Sequence, residues 1–182
     1  DSMRMGETTL AQGQGLPLSF GHAYLTLLVC LSGSAHFTLN FKEHAVRRGG
    51  VMLLAEDTIA LLKRRSRRFK VFFCLMPKDF AAEVAYPLPN SLFVFLHDHP
   101  HCVPSKDDMP LIEGWVTQMR NIAQTCPSYQ RIMLRNQLQN LFLKIAEQLP
   151  ANQIENSGFS RKEMLSWRFW ELIGKHCIRN RD

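Results

Sequence analysis

No uninterrupted apolar run in this chain approaches the roughly 18 residues that a membrane-spanning helix needs, so no membrane partner is expected. The N-terminus also lacks the basic segment and apolar stretch of an export signal. The five cysteines, at positions 30, 74, 102, 126 and 177, form no Cys-x-x-Cys pair. That removes the common zinc-ribbon and dithiol spacings. Most of these thiols sit among apolar neighbours, where a free cysteine acts as a small hydrophobe, and a reducing cytoplasm is the expected setting. A phosphate-cradling glycine loop is missing as well, since Gly13-Gln14-Gly15 is not followed by a helical pattern. With 182 residues, 46% of them hydrophobic, the chain is long enough and apolar enough to bury a sizeable core.

The charge that is present is unevenly placed. The net charge is +6, and residues 42–70, with nine Lys or Arg against three Asp or Glu, account for all of it. At the centre stands Lys63-Arg64-Arg65-Ser66-Arg67-Arg68, between two apolar runs. Such a run is either a phosphate-binding patch or a solvated loop between strands. No aromatic side chain is interleaved to stack on bases, which argues against single-stranded nucleic acid.

The pattern changes near residue 100. Before it, short apolar runs rich in β-branched and aromatic residues predict strands near Tyr24–Leu31, His36–Phe41, Val51–Leu54, Thr58–Leu62, Phe69–Met76 and Leu92–Leu96, with a shorter one near Leu16–Phe20. Ser32-Gly33-Ser34, Arg48-Gly49-Gly50 and Glu56-Asp57 supply turns. Within 36–41, Phe37, Leu39 and Phe41 share one face and His36, Thr38 and Asn40 the other. The 24–31 run is apolar on both faces, as expected of a strand covered on both sides. Closely spaced strands of this kind predict an antiparallel barrel or jelly roll.

After residue 100 the period becomes helical. Ser105 and Asp108 suit a capping-box-like start, and Leu111, Ile112, Trp115, Met119 and Ile122 mark one face of a helix. Pro127 fits the first turn of the next helix, which carries Leu134, Leu138, Leu141 and Ile145 as a short heptad seam. Ile132 and Leu143 form a second apolar flank beside that seam. Residues 150–158 read as a linker. Beyond them, Arg161, Arg168, Glu171, Lys175 and Arg179 line one stripe of a final helix. Leu165, Trp167, Phe169, Trp170, Leu172, Ile173, Cys177 and Ile178 occupy the rest of its circumference, so it needs cover on more than one side.

That last segment, RKEMLSWRFWELIGKHCIRNRD, resembles the lead-in helix of AraC/XylS-type transcription regulators in the style common among Bacteroidetes. Arg47-Arg48-Gly49-Gly50 followed by VMLLAEDTIALL resembles the family's strand–Gly–strand segment. FKVFFCLMPKDF, at 69–80, resembles its late barrel strand. Glu56-Asp57 depart from the proline-containing turn often found there. The resemblance implies an α+β protein: a cupin-like antiparallel β-barrel or jelly roll over 1–100, a helical dimerisation hairpin over 101–149, the linker over 150–158, and over 159–182 a C-terminal linker helix leading into a DNA-binding domain with two helix-turn-helix motifs. The implied role is the ligand-sensing and dimerisation region of a DNA-binding regulator, not an enzyme. A small organic effector would bind inside the barrel. DNA would be met through the C-terminal domain alone, and two copies would pair through Leu134, Leu138, Leu141 and Ile145.

For the effector, Tyr24, His36, Thr38 and Asn40 are the polar candidates on early strands. If the opposite face points inward, Phe37, Leu39 and Phe41 become the lining. The competing class is a metal-dependent cupin-like enzyme, whose site needs several histidines and a carboxylate converging on one ion. The candidate strand offers only His36, so no metal and no other cofactor is expected. His97-Asp98-His99-Pro100-His101-Cys102 is the other histidine cluster: extended, its three imidazoles would share one side, and otherwise it is a solvated crossover.

Overall fold

A computed structural model of the chain describes residues 2–20 and 23–147. The expected linker at 150–158 and helix at 159–182 lie outside the described residues. Among the described residues eight strands form two antiparallel sheets. They are β1 (Arg4–Thr8), β2 (Leu25–Ser32), β3 (Ser34–Leu39), β4 (Lys42–Arg47), β5 (Val51–Ala55), β6 (Ala60–Arg65), β7 (Lys70–Met76) and β8 (His101–Cys102). The larger sheet runs β1-β7-β2-β5-β8 and the smaller β4-β3-β6. The result is an α+β fold with a cupin-like barrel.

Local chemistry explains the hairpins. Asn40 and Phe41, with φ of 46° and 68°, make a two-residue turn that sets Leu39 opposite Lys42. The Asn40 side chain then fixes the next crossing, its Oδ1 accepting the Ile59 N–H at 2.9 Å. Alternation places Ala35, Phe37 and Leu39 between the sheets with Leu28, Met52, Leu54, Leu62 and Phe69. Phe41, in the turn, is 85% exposed. β2 is buried on both faces: Leu28 and Cys30 point between the sheets, Leu27 and Val29 to the opposite side.

That opposite side is roofed by four helices, α1 (Lys78–Ala85), α2 (Asn90–Asp98), α3 (Met109–Thr125) and α4 (Gln130–Glu147). Their core is continuous with the larger sheet. α3 carries Ile112, Trp115, Met119 and Ile122 inward, as the spacing predicts, but Leu111, expected on the same face, is exposed and Val116 is buried instead. α4 buries Leu134, Leu138, Leu141 and Ile145 together with Phe142, each worth about 1.5–3 kcal/mol on leaving water. α4 is also tied to α1: Gln139 Nε2 donates to the Glu83 and Val84 carbonyls, and Arg131 pairs with Asp79 and Glu83. Among the described residues no helix is long and apolar enough to cross a membrane.

Several expectations are corrected. Leu92–Leu96 is not a strand but the middle of α2. Its five apolar residues fit either period, and Pro89 at the N-cap marks the helix start. Leu16–Phe20 is not a regular strand either: Pro17 makes only an isolated bridge to Leu61, while Leu18 N–H bonds the Ala60 carbonyl beside β6. The basic run is only partly a loop, because β6 continues through Arg65 and leaves Ser66–Arg68 in the turn. Pro127 sits in the turn before α4, not in its first helical turn. Ser105 and Asp108 do meet, and half of the capping box forms: the Asp108 carboxylate accepts from the Ser105 backbone N–H and hydroxyl, while the Ser105 side chain makes no capping bond to a backbone N–H.

Candidate functional site

A concavity lies outside the barrel, between the larger sheet and the first two helices. It is a cavity of about 370 Å³. Tyr24 and Leu25 line it at the start of β2, Leu53 and Ala55 on β5, and Thr58 on the following loop. Lys78, Ala81, Ala82 and Ala85 come from α1, and Phe93, Leu96 and His97 from α2. The space has a sequence origin. Ala81 and Ala85 are four residues apart, on one face of α1, so that face presents methyl groups where larger side chains would close the gap. Pro77 and Pro89 stand at the N-caps of α1 and α2 and set where both walls begin.

The cavity is mostly apolar, with a few polar groups, the usual make-up of a small-molecule site. Lys78 Nζ stands 5.8 Å from the centre of the Tyr24 ring and makes no ion pair among the described residues. The Thr58 hydroxyl accepts the Ala55 N–H at 3.0 Å, leaving its own proton available. His97 is exposed on the last turn of α2. An apolar chamber with one unpaired ammonium at its edge suits a small molecule with an apolar body and an anionic end.

Only Tyr24 of the four polar candidates borders this cavity. His36 and Thr38 lie on the β3 face opposite the buried Phe37, with His36 Nε2 3.3 Å from the Arg64 guanidinium and Thr38 Oγ1 buried without a partner. Asn40 is spent on its turn. The structure does not bring the four together, and the space between the sheets is filled by apolar side chains. Sequence reasoning missed Lys78, Thr58, Phe93 and the three alanines of α1. The proline before Lys78 was the available signal for α1.

The three clustered histidines separate. His97 is exposed at the end of α2. His99 stacks on Phe95, with ring centres 4.3 Å apart. His101, on β8, meets His44 of β4 edge to face at 5.8 Å, so the outermost strands of the two sheets touch through imidazoles. Among the described residues no three His, Cys, Asp or Glu side chains are grouped to hold a metal ion.

Both of these histidines have a buried Nε2 with no hydrogen-bond partner. Burial, then the neighbouring His44, push the His101 pKa down to about 4, and burial with Lys42 lowers that of His44. The folded protein thus binds a proton at His101 less readily than the unfolded chain, so this contribution to stability is complete above pH 6.5 and is lost as pH falls towards 4. Solvent reaches part of the ring, and the loss is about 1–2 kcal/mol. Melting curves between pH 7 and 4 are expected to show the parent protein losing about 1–2 kcal/mol of stability relative to His101→Phe. A constant gap between them would contradict this.

Burial also raises the Cys30 and Cys102 thiols to about 11, which keeps both protonated and unreactive near neutrality.

No family model matches the chain, and no curated protein matches it. Solved structures do. An apo variant of ToxT from Vibrio cholerae aligns with 81% of this chain and 56% of its own, at 12% identity and a TM-score of 0.54. The AraC-like transcriptional activator CuxR aligns with 94% of this chain and 57% of its own, at 11% identity and a TM-score of 0.49. A ToxT structure with bound unsaturated fatty acid aligns with 80% of this chain and 54% of its own, at 11% identity and a TM-score of 0.46. The chain therefore spans a little over half the length of these structures, and with part of ToxT it shares a fold.

Proposed function

We propose that the chain senses a small organic effector for a homodimeric, AraC-type transcription regulator of the cytoplasm. The observation that carries this reading is the cavity of about 370 Å³ walled by β2, β5, α1 and α2. The fold shared with part of ToxT and the resemblance of residues 161–182 to a lead-in helix support it. Sequence-specific DNA contacts belong to the two helix-turn-helix motifs of such regulators. Effector and output are joined through α1, which forms one wall of the cavity and is bonded to α4 by Gln139 and Arg131. An effector that favours one position of α1 thereby favours one position of α4, and it can act only by that difference in affinity. α4 is also the helix through which we propose that two copies pair, by its outer flank.

Calorimetric titration with a panel of small amphipathic carboxylates and their uncharged analogues tests the reading. Binding of a carboxylate is expected to weaken about tenfold or more in Lys78→Met, the loss of one charge-assisted contact. Ala82→Phe, which fills the mouth of the cavity from an exposed position, is expected to abolish binding while leaving the unliganded melting temperature unchanged. Binding that survives both substitutions would place the effector elsewhere.

A further inference from the structure

Among the described residues, several cations on the helical side are paired, Lys78 being an exception: Arg48 pairs with Glu113, Lys70 and Arg120 share Glu7, Arg131 bridges Asp79 and Glu83, and Lys144 reaches Asp108 and Glu147. At the end of the barrel where β3 begins, Arg47, Lys63, Arg64, Arg65, Arg67 and Arg68 come together. Register places Arg47 opposite Ser34, Arg64 opposite His36 and Arg65 opposite Ala35. None of the six is in an ion pair among the described residues, and all but the half-buried Arg65 are exposed.

This pole is built rigidly. Ser66 N–H donates to the Ser34 carbonyl at 2.8 Å, and Ser34 N–H donates to Ser66 Oγ at 3.0 Å. The Ser32 hydroxyl donates to the Arg68 carbonyl at 2.6 Å. Gly33 permits the close approach: its φ is 70°, and a Cβ there would stand 2.5 Å from Ser66 Oγ and 2.6 Å from Phe69 N. Phe69 anchors the turn from the buried core. A solvated charge run needs none of these bonds. Here like charges are held close together on a fixed frame, which repels itself until a polyanion neutralises it.

The surroundings select the polyanion. Membrane docking calls for a broad apolar face among the cations, but the exposed apolar surface near them is small: Leu16 stands beside Leu61 and Leu62, and Phe41 and Ile59 lie at the far end of β3, about 17 Å away along a six-residue strand. Single-stranded nucleic acid calls for stacking aromatics, and among the described residues none is exposed at this pole. What remains is a regular array of phosphates. We infer that the Arg47, Lys63 and Arg64–Arg68 pole of the barrel docks on the phosphate backbone of duplex DNA without reading its sequence. The inference does not depend on the cavity holding an effector.

The test is fluorescence anisotropy of the 182-residue chain with a labelled duplex of about 20 base pairs and arbitrary sequence, titrated at several salt concentrations. Binding is expected at low salt, with log K falling linearly as log salt rises. Joint Arg64→Ala, Arg67→Ala and Arg68→Ala substitution is expected to lower affinity about tenfold or more and to reduce the slope by about 2–3, while lysines at the same positions restore it. Lys144→Ala, on the helical side, is expected to leave the slope unchanged. A double Arg67→Ala, Arg68→Ala variant, altered only in the exposed turn, serves if the triple variant melts early. The inference is overturned if the parent chain does not bind, if the variants bind with the parental slope, or if the substitutions abolish binding to phosphatidylserine vesicles but not to the duplex.

Discussion

Replacing Trp115 with alanine is expected to remove about 3–5 kcal/mol of folding stability, the usual cost of deleting a large buried aromatic. Trp115 is 7% exposed and stands where three elements meet. Its ring packs edge to face on Phe72 of β7, with centroids 6.0 Å apart, and its Nε1 donates to the Gln137 carbonyl of α4 at 2.8 Å. The residue thus joins the larger sheet, α3 and α4, and removing it leaves a cavity that rigid strands on one side cannot close. Trp115→Phe keeps the ring contact and loses the hydrogen bond, for about 1 kcal/mol from the bond plus a smaller cavity cost. Urea unfolding with unchanged m-values measures both. A loss below about 1 kcal/mol for the alanine variant would show that the helices do not pack on the sheet through this side chain.

The elements that could be read in the sequence are those whose burial is two-sided or strictly alternating. β2 and β5 are apolar on both faces because one face meets the smaller sheet and the other the helices. β3 alternates because Phe37 and Leu39 point inward while His36 and Thr38 do not. α3 and α4 show their period because each buries a single stripe. β1 and β4 were illegible for the opposite reason: each is a sheet edge made largely of polar or small residues, RMGET and KEHAVR, and contributes little to either core. The run LFVFL misled because a fully apolar pentapeptide has no period of its own. The cavity was harder still. Its walls come from residues 24–25, 53–58, 78–85 and 93–97, and its volume comes from alanines, which announce nothing in a linear reading. Tyr24 was found because it begins a recognisable strand. Lys78 escapes notice because it begins α1, and the sequence pattern predicts strands, not helices, before residue 100.

Glutamate at Leu138 and glutamate at Leu143 are expected to have opposite consequences, although the two positions are only five residues apart on α4. Leu138 is fully buried, and Leu134, Leu141 and Ile145 are buried beside it, so the stripe expected to join two copies is occupied by the chain's own core. A carboxylate there has no partner and no water, and its burial is expected to cost more than about 4 kcal/mol and to unfold the domain. Leu143 is 45% exposed on the opposite side of the helix. Ile132 and Met133 share that side, and Tyr129, just before the helix, continues it at helical spacing. A charge at Leu143 is expected to change stability by no more than about 0.5 kcal/mol. If α4 pairs with a second copy, this flank is the surface left to do it, and Leu143→Glu is expected to convert dimer to folded monomer in sedimentation at micromolar concentration. A dimer unaffected by Leu143→Glu would move the interface away from α4. A parent chain that sediments as a monomer at high concentration would leave these apolar side chains to another partner, and the link from cavity through α1 to α4 would then end at that partner, not at a second copy.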